Sequence, residues 1–211
     1  WTSDLVQVAV EQLGYTESEK NFTVDEALGE AIDVHHYTRY GQWYGNPYAA
    51  WDVMFVSFCQ HYAGIPKEII PQRAGLFALR TDLEAAHPEY LTEGGAKAAE
   101  GQIVTYYNSD GEETIGIVEA ADEETGELTV ISGAVNGKVA EVVIQRADIT
   151  NTILVTQAWA DYYGYPLDDE LEEPSDEDTD EAEYDEVLSF DADAVLEQEG
   201  AVAYILKGPN P

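Results

Sequence analysis

Apolar residues follow two periods along this chain, and the change from one to the other organises it. Leu5, Val8, Ala9 and Leu13 recur at helical spacing, which predicts a helix over residues 4–14 with Asp4 as its N-cap and Gly14 as its stop. Residues 51–63 are apolar nearly all round, the pattern of a buried helix, and Gly64 and Pro66 end it. Between these helices, residues 15–50 show no sustained period and read as a loop rich in Tyr, Gly and Asn. Residues 71–97 read as a mostly helical excursion, with Thr81 or Asp82 opening a short helix. From Gly101 short runs rich in β-branched and aromatic residues, separated by turn residues, take over. Strands are expected at 101–107, 114–120, 127–132, 138–145 and 152–158. The turns between them include 108–111, 124–126 and 136–137, where Gly suits a positive φ. Helices first and a meander of strands afterwards predict an α+β fold, with N-terminal helices packed on an antiparallel sheet.

The pattern breaks at Pro166. Residues 168–186 carry Asp and Glu without a basic partner, a run that repels itself and reads as an acidic linker over 166–186. Apolar character returns in 187–190 and 201–206. Residues 187–211 are therefore expected to form strands that open a further domain or dock on the first, which spans 1–165. The chain opens on Trp1 without an initiator Met, so it reads as a mature form or as part of a longer protein with neighbouring domains.

Composition narrows the function. The 211 residues hold 43 acidic against 9 basic side chains, a formal net charge of -34. Such a chain repels nucleic acid and anionic membrane, which excludes a nucleic-acid partner. No apolar run reaches the roughly 18 residues of a membrane span, so membrane insertion is not expected. The single cysteine, Cys59, allows no internal disulfide. The oxygen-rich turn Asn108, Ser109, Asp110, Gly111, Glu112 and Glu113 lacks the distant bidentate Glu of a calcium loop. It reads as a plain hairpin turn, and neither a metal nor a cofactor is expected.

Several segments carry a family likeness. They are Leu13-Gly14-Tyr15, Tyr37 through Gly41, Trp43-Tyr44-Gly45, Trp51 through Ile65, Gly101 through Val104, and Ile115-Gly116-Ile117-Val118-Glu119. Together they resemble the CHAP domain, a cysteine- and histidine-dependent amidohydrolase/peptidase, across most of residues 5–165. The resemblance implies a papain-like α+β fold, a secreted or cell-surface bacterial protein, and peptidoglycan or another glycan-peptide as partner. In such an enzyme a cysteine at the N-terminus of the buried helix is activated by a strand histidine, which a further polar residue orients. The resemblance places the cysteine position at Asp52, the histidine position at Thr114, and the orienting positions near Ser132 and Ala134. None holds the family's residue. It also places the aromatic segment with Tyr40, Trp43, Tyr44, Tyr48 and Trp51 at the cleft entrance, where rings suit glycan or peptide contact.

The reading that follows is a catalytically inactive CHAP-like module that binds or supports rather than cleaves. Two others compete with it. One is a cysteine amidase or endopeptidase with rearranged catalytic residues and Cys59 as nucleophile, which requires an exposed thiol with a histidine in reach. His61, two residues after Cys59 on the same helix, points elsewhere, and His35, His36 and His87 read as solvated loop residues, while Cys59 itself reads as core packing. The other is an interaction element whose C-terminal strands pair with a partner.

Overall fold

The computed structural model describes residues 1–18, 21–24, 27, 31–35, 37–165 and 167. The chain divides into the units Trp1–Glu170 and Leu171–Pro211, and every element below belongs to the first. The expected linker beyond Leu167 and the expected strands in 187–211 lie outside the described residues.

The described part is α+β, with helices and a six-stranded antiparallel sheet of order β3-β8-β4-β5-β6-β7. In chain order the elements are α1 (Thr2–Val10), β1 (Asn21–Val24), β2 (Ala31–His35), α2 (Arg39–Tyr44), α3 (Asp52–Tyr62), α4 (Leu76–Ala86), β3 (Leu91–Glu93), β4 (Ile103–Tyr107), β5 (Glu113–Ala121), β6 (Glu127–Val135), β7 (Lys138–Gln145), β8 (Ile149–Ile153) and α5 (Val155–Tyr163). Strands β1 and β2 form a separate antiparallel pair.

Alternation along the strands divides the interior into two cores. Ile103, Ile115, Ile117, Ile131 and Ile153 face α1, α2 and α3 and pack with Leu5, Tyr40, Met54, Phe55 and Cys59. Val104, Tyr106, Val118, Leu128, Val130 and Ile149 form a second cluster on the opposite face, edged by Val142 and Ile144. Each fully buried Leu, Ile, Met or Phe in these cores contributes about 1.5–3 kcal/mol by leaving water. Burial on both faces explains why β4 and β5 read as nearly continuous apolar runs.

Helix α3 is the axis of the first core, with Val53, Met54, Phe55, Val56, Ser57, Cys59 and Gln60 all buried. The Ser57 hydroxyl donates to the Arg73 carbonyl at 2.8 Å and accepts from the Arg73 amide at 2.9 Å. Those bonds pin the segment that leads into α4. Gly133 of β6 lies against Phe55 and Trp51, where any Cβ would collide with them. The missing side chain lets the sheet approach the helix.

Several boundaries differ from the sequence expectation, each for a tertiary reason. Helix α1 begins at Thr2, and Asp4 sits in its first turn instead of capping it. Residues 15–50 are not one loop. They contain β1, β2 and α2, the last capped by the Thr38 side chain, which accepts from the Gly41 amide, and ended by Gly45 at φ 94°. Thr81 and Asp82 fall inside α4, which opens after Gly75. The last strand is β8, and 155–158 belong to α5. The Gln102 side chain accepts from the Val155 amide at 2.6 Å, satisfying a free donor at that helix start.

Candidate functional site

The first turn of α3 opens into a cleft of about 760 Å³, a size usual for a ligand site. Its walls come from four places: Asp52 and Val53 of α3, Ala74 and Gly75 with Leu76 at the start of α4, the residues 106–110 and 112–114 around the β4–β5 turn, and the β6–β7 connection from Gly133 to Asn136. Val142 and Ile144 of β7 close the far side.

Three of the four positions singled out in the sequence line this cleft: Asp52, Thr114 and Ala134. The fourth, Ser132, is fully buried immediately beneath it. Thr114 donates its hydroxyl to Asp52 Oδ2 at 3.0 Å, across 62 residues of sequence. Thr114 pairs directly with Tyr106 across β4 and β5, and the Tyr106 hydroxyl shares a 2.8 Å hydrogen bond with Ser132 Oγ. The floor is thus a joined polar row of Asp52, Thr114, Tyr106 and Ser132. Burial pushes the Tyr106 pKa up, and the Asp52 charge adds to that, while the Ser132 hydrogen bond acts in the other direction. The phenol remains a neutral hydrogen-bonding group.

Asp52 does not cap helix α3. Trp51 occupies the N-cap position and makes no side-chain cap bond, while Asp52 lies in the first helical turn. Its carboxylate benefits from the positive end of the helix dipole there. The side chain is turned toward Thr114, so it serves the cleft floor instead of the helix amides.

The cleft has an acidic rim. Asp110, Glu112 and Glu113 line it together with Asp52, and no Lys, Arg, His or Cys does so among the described residues. Glu113 is held by Arg80 at 2.7 Å and by the Thr150 hydroxyl at 2.7 Å. Burial alone would raise the Glu113 pKa, but the Arg80 and Thr150 hydrogen bonds and the Arg80 charge outweigh it and bring it below the ordinary value. No ion pair engages Asp52, Asp110 or Glu112 among the described residues.

In the β4–β5 turn, the Asn108 side chain accepts from the amides of Asp110 and Glu112 at 3.0 and 2.9 Å. That is a hairpin turn closed on itself. Among the described residues no group of His, Cys, Asp and Glu is arranged to hold a metal ion.

The aromatic segment is divided between core and surface, and none of its five rings lines the cleft. Tyr40 is fully buried and stacks on Trp51 at a centroid distance of 5.3 Å. Trp51 is also buried and donates its indole N–H to Glu17 at 2.8 Å. Trp43 packs edge-on against Phe58, whereas Tyr44 and Tyr48 are exposed. Tyr40 and Trp51 therefore hold the start of α3 in place.

Cys59 is fully buried on α3, and burial pushes its thiol pKa far up. His61 is exposed and packs on Trp43, and His87 stacks on Tyr90. His36 and the His35 side chain lie outside what the structure describes. Sequence reasoning missed Tyr106, Asn136 and the β7 residues as cleft walls. Their roles depend on strand register, which alternation alone does not supply.

No protein-family model matches the chain, and no curated protein matches it. It is similar to a solved structure described as "The crystal structure of Ly7917", with TM-score 0.39 and 14% identity over 73% of this chain. The match spans 62% of that structure, less than two thirds of its length. A similarity of that size decides neither fold family nor activity. Among the described residues, no helix is long and apolar enough to cross a membrane.

Proposed function

We propose that this chain is a catalytically inactive CHAP-like module of papain-like fold, part of a secreted or cell-surface protein. In this reading its cleft binds peptidoglycan or a related glycan-peptide without cleaving it. The observation that carries the reading is the hydrogen bond between Thr114 and Asp52 on the cleft floor. These are the positions that the family likeness pairs as base and nucleophile. They meet at the start of a buried helix beside a large cleft, with side chains that cannot perform thiol chemistry. A threonine hydroxyl does not accept a proton near neutral pH, and a carboxylate is a poor substitute for a thiolate in acyl transfer.

Hydrolysis through Cys59 has less support. The thiol is sealed in the core, and its raised pKa removes the thiolate that such a reaction needs.

Co-sedimentation with purified cell-wall sacculi, run beside turbidity loss of the same suspension, tests the proposal. The wild-type chain is expected to sediment with the sacculi and leave turbidity unchanged. Asp52→Asn/Thr114→Val is expected to weaken sedimentation by roughly tenfold, since each change removes a polar contact on the floor. Clearing by the wild type that disappears in Cys59→Ala would overturn the proposal and establish a rearranged cysteine hydrolase.

A further inference from the structure

Strand β7 ends the sheet beside β6, and on its other side, among the described residues, only its start is met, by a bridge between Lys138 and Thr16. Its first residues are covered. The Val139 amide donates to the Tyr15 carbonyl at 2.9 Å, and the Gly14 amide donates to the Val139 carbonyl at 3.0 Å. Those bonds show which residues of β7 turn their backbone groups outward. By alternation, Glu141, Val143 and Gln145 do the same as Val139. No strand pairs with β7 on that side, and no backbone partner meets those three residues among the described residues.

A bare edge of this kind is a template for another strand, and proteins usually blunt it with proline, inward charge or a covering segment. Here Glu141 is the one charged residue of 141–145, no proline is present, and Val143 is 63% exposed.

The same strand borders the cleft through Val142 and Ile144. A strand added at the edge would therefore direct alternate side chains toward the cleft. Charge selects the occupant. A second copy would bring another net charge of -34 to the interface. The cleft offers Asp52, Asp110 and Glu112 without an ion pair among the described residues, and Glu141 stands at the edge itself. We infer that the free edge of β7 takes up an extended basic peptide as an additional strand, with alternate ammonium or guanidinium groups placed over the acidic cleft. The segment 141–145 spans about 17 Å at 3.4 Å per residue, enough for five residues of ladder. The inference rests on the cleft being a binding site, as proposed above, and adds the chemical class of what enters it.

The test is a titration of the full chain with a capped octapeptide alternating Lys and Thr. Its comparators are the Glu-Thr counterpart and a Lys-Thr peptide N-methylated at every second amide. The Lys-Thr peptide is expected to bind and the Glu-Thr peptide is not. N-methylation, which leaves the charge intact and removes the ladder donors, is expected to weaken binding by about tenfold or more. Val143→Pro is expected to do the same, because its amide faces outward and the β6 ladder survives. Circular dichroism checks that this variant is folded. If it is not, the N-methylated peptide decides the matter alone.

Equal binding of methylated and unmethylated peptides would overturn the inference, since it reports diffuse charge attraction without strand pairing. No binding of the Lys-Thr peptide would also overturn it. Sacculi that sediment the chain while the Lys-Thr peptide is ignored would sink this inference and leave the proposed function standing. Failure of both would sink the two together.

Discussion

At the scale of single residues, position outweighs residue type. Asp52 and Cys59 share one helix, yet one faces a cleft and the other is sealed in the core. The thiol of Cys59 is buried in the core, and the Asp52 carboxylate lies on the cleft floor. Cys59 in the folded chain is expected to resist alkylation across roughly pH 6–9 and to react only on unfolding, because burial removes both access and thiolate. Mass spectrometry after iodoacetamide treatment, with and without denaturant, measures this, and rapid labelling of the native chain would contradict it. The sequence carries Asp52 and Thr114 as a pair only through a family likeness. Periodicity places one on a helix and one on a strand, and nothing in it brings them to 3.0 Å. Tyr106 and Ser132 complete the polar row through register, which depends on the shared sheet.

At the scale of elements, the meander from β4 to β7 is legible in the sequence because each of its turns carries Gly between short runs rich in β-branched residues. Strand β7 matches its expected bounds, Lys138–Gln145. Helix α5 is not legible. The β-branched Val155 and Thr156 prolong a strand pattern, and the Gln102 contact that caps the helix comes from 53 residues away. Helix α2 is hidden among aromatic residues, although Thr38 and Gly45 are ordinary cap signals. Gly116, part of the Ile-Gly-Ile-Val likeness, has a purely steric reason to be glycine. A Cβ there would strike Ser132 Oγ, Val130 and the Ile131 carbonyl. Gly116→Ala is expected to cost about 1–3 kcal/mol by overpacking, read from urea unfolding, and a change within about 0.5 kcal/mol would show that β6 yields more easily than its packing implies.

Glu113 ties β5 to α4 and β8 through Arg80 and Thr150. Its folded pKa is lowered, so its stabilisation is complete above the ordinary value of 4.5 and is lost as pH falls through the lower folded value. Glu113→Gln should therefore reduce stability at neutral pH and make the acid side of the stability profile shallower. A parallel profile for both chains would contradict that linkage.

At the scale of the whole molecule, an α+β body carries its acidic cleft where helix α3 meets the rims of β5 and β6. The net charge of -34 by itself favours cationic over anionic partners. Composition does not say where that charge is put to use, because the cleft is assembled from segments distant in sequence. The central claim is that this cleft binds without cutting, and the most direct measurement is an NMR titration of the isotope-labelled full chain with soluble peptidoglycan fragments that retain their stem peptides. The account predicts shifts concentrated at Asp52, Tyr106, Thr114 and Ala134, with the fragments recovered intact by mass spectrometry. Shifts confined to other surfaces, or fragments that shorten during the titration, would contradict it.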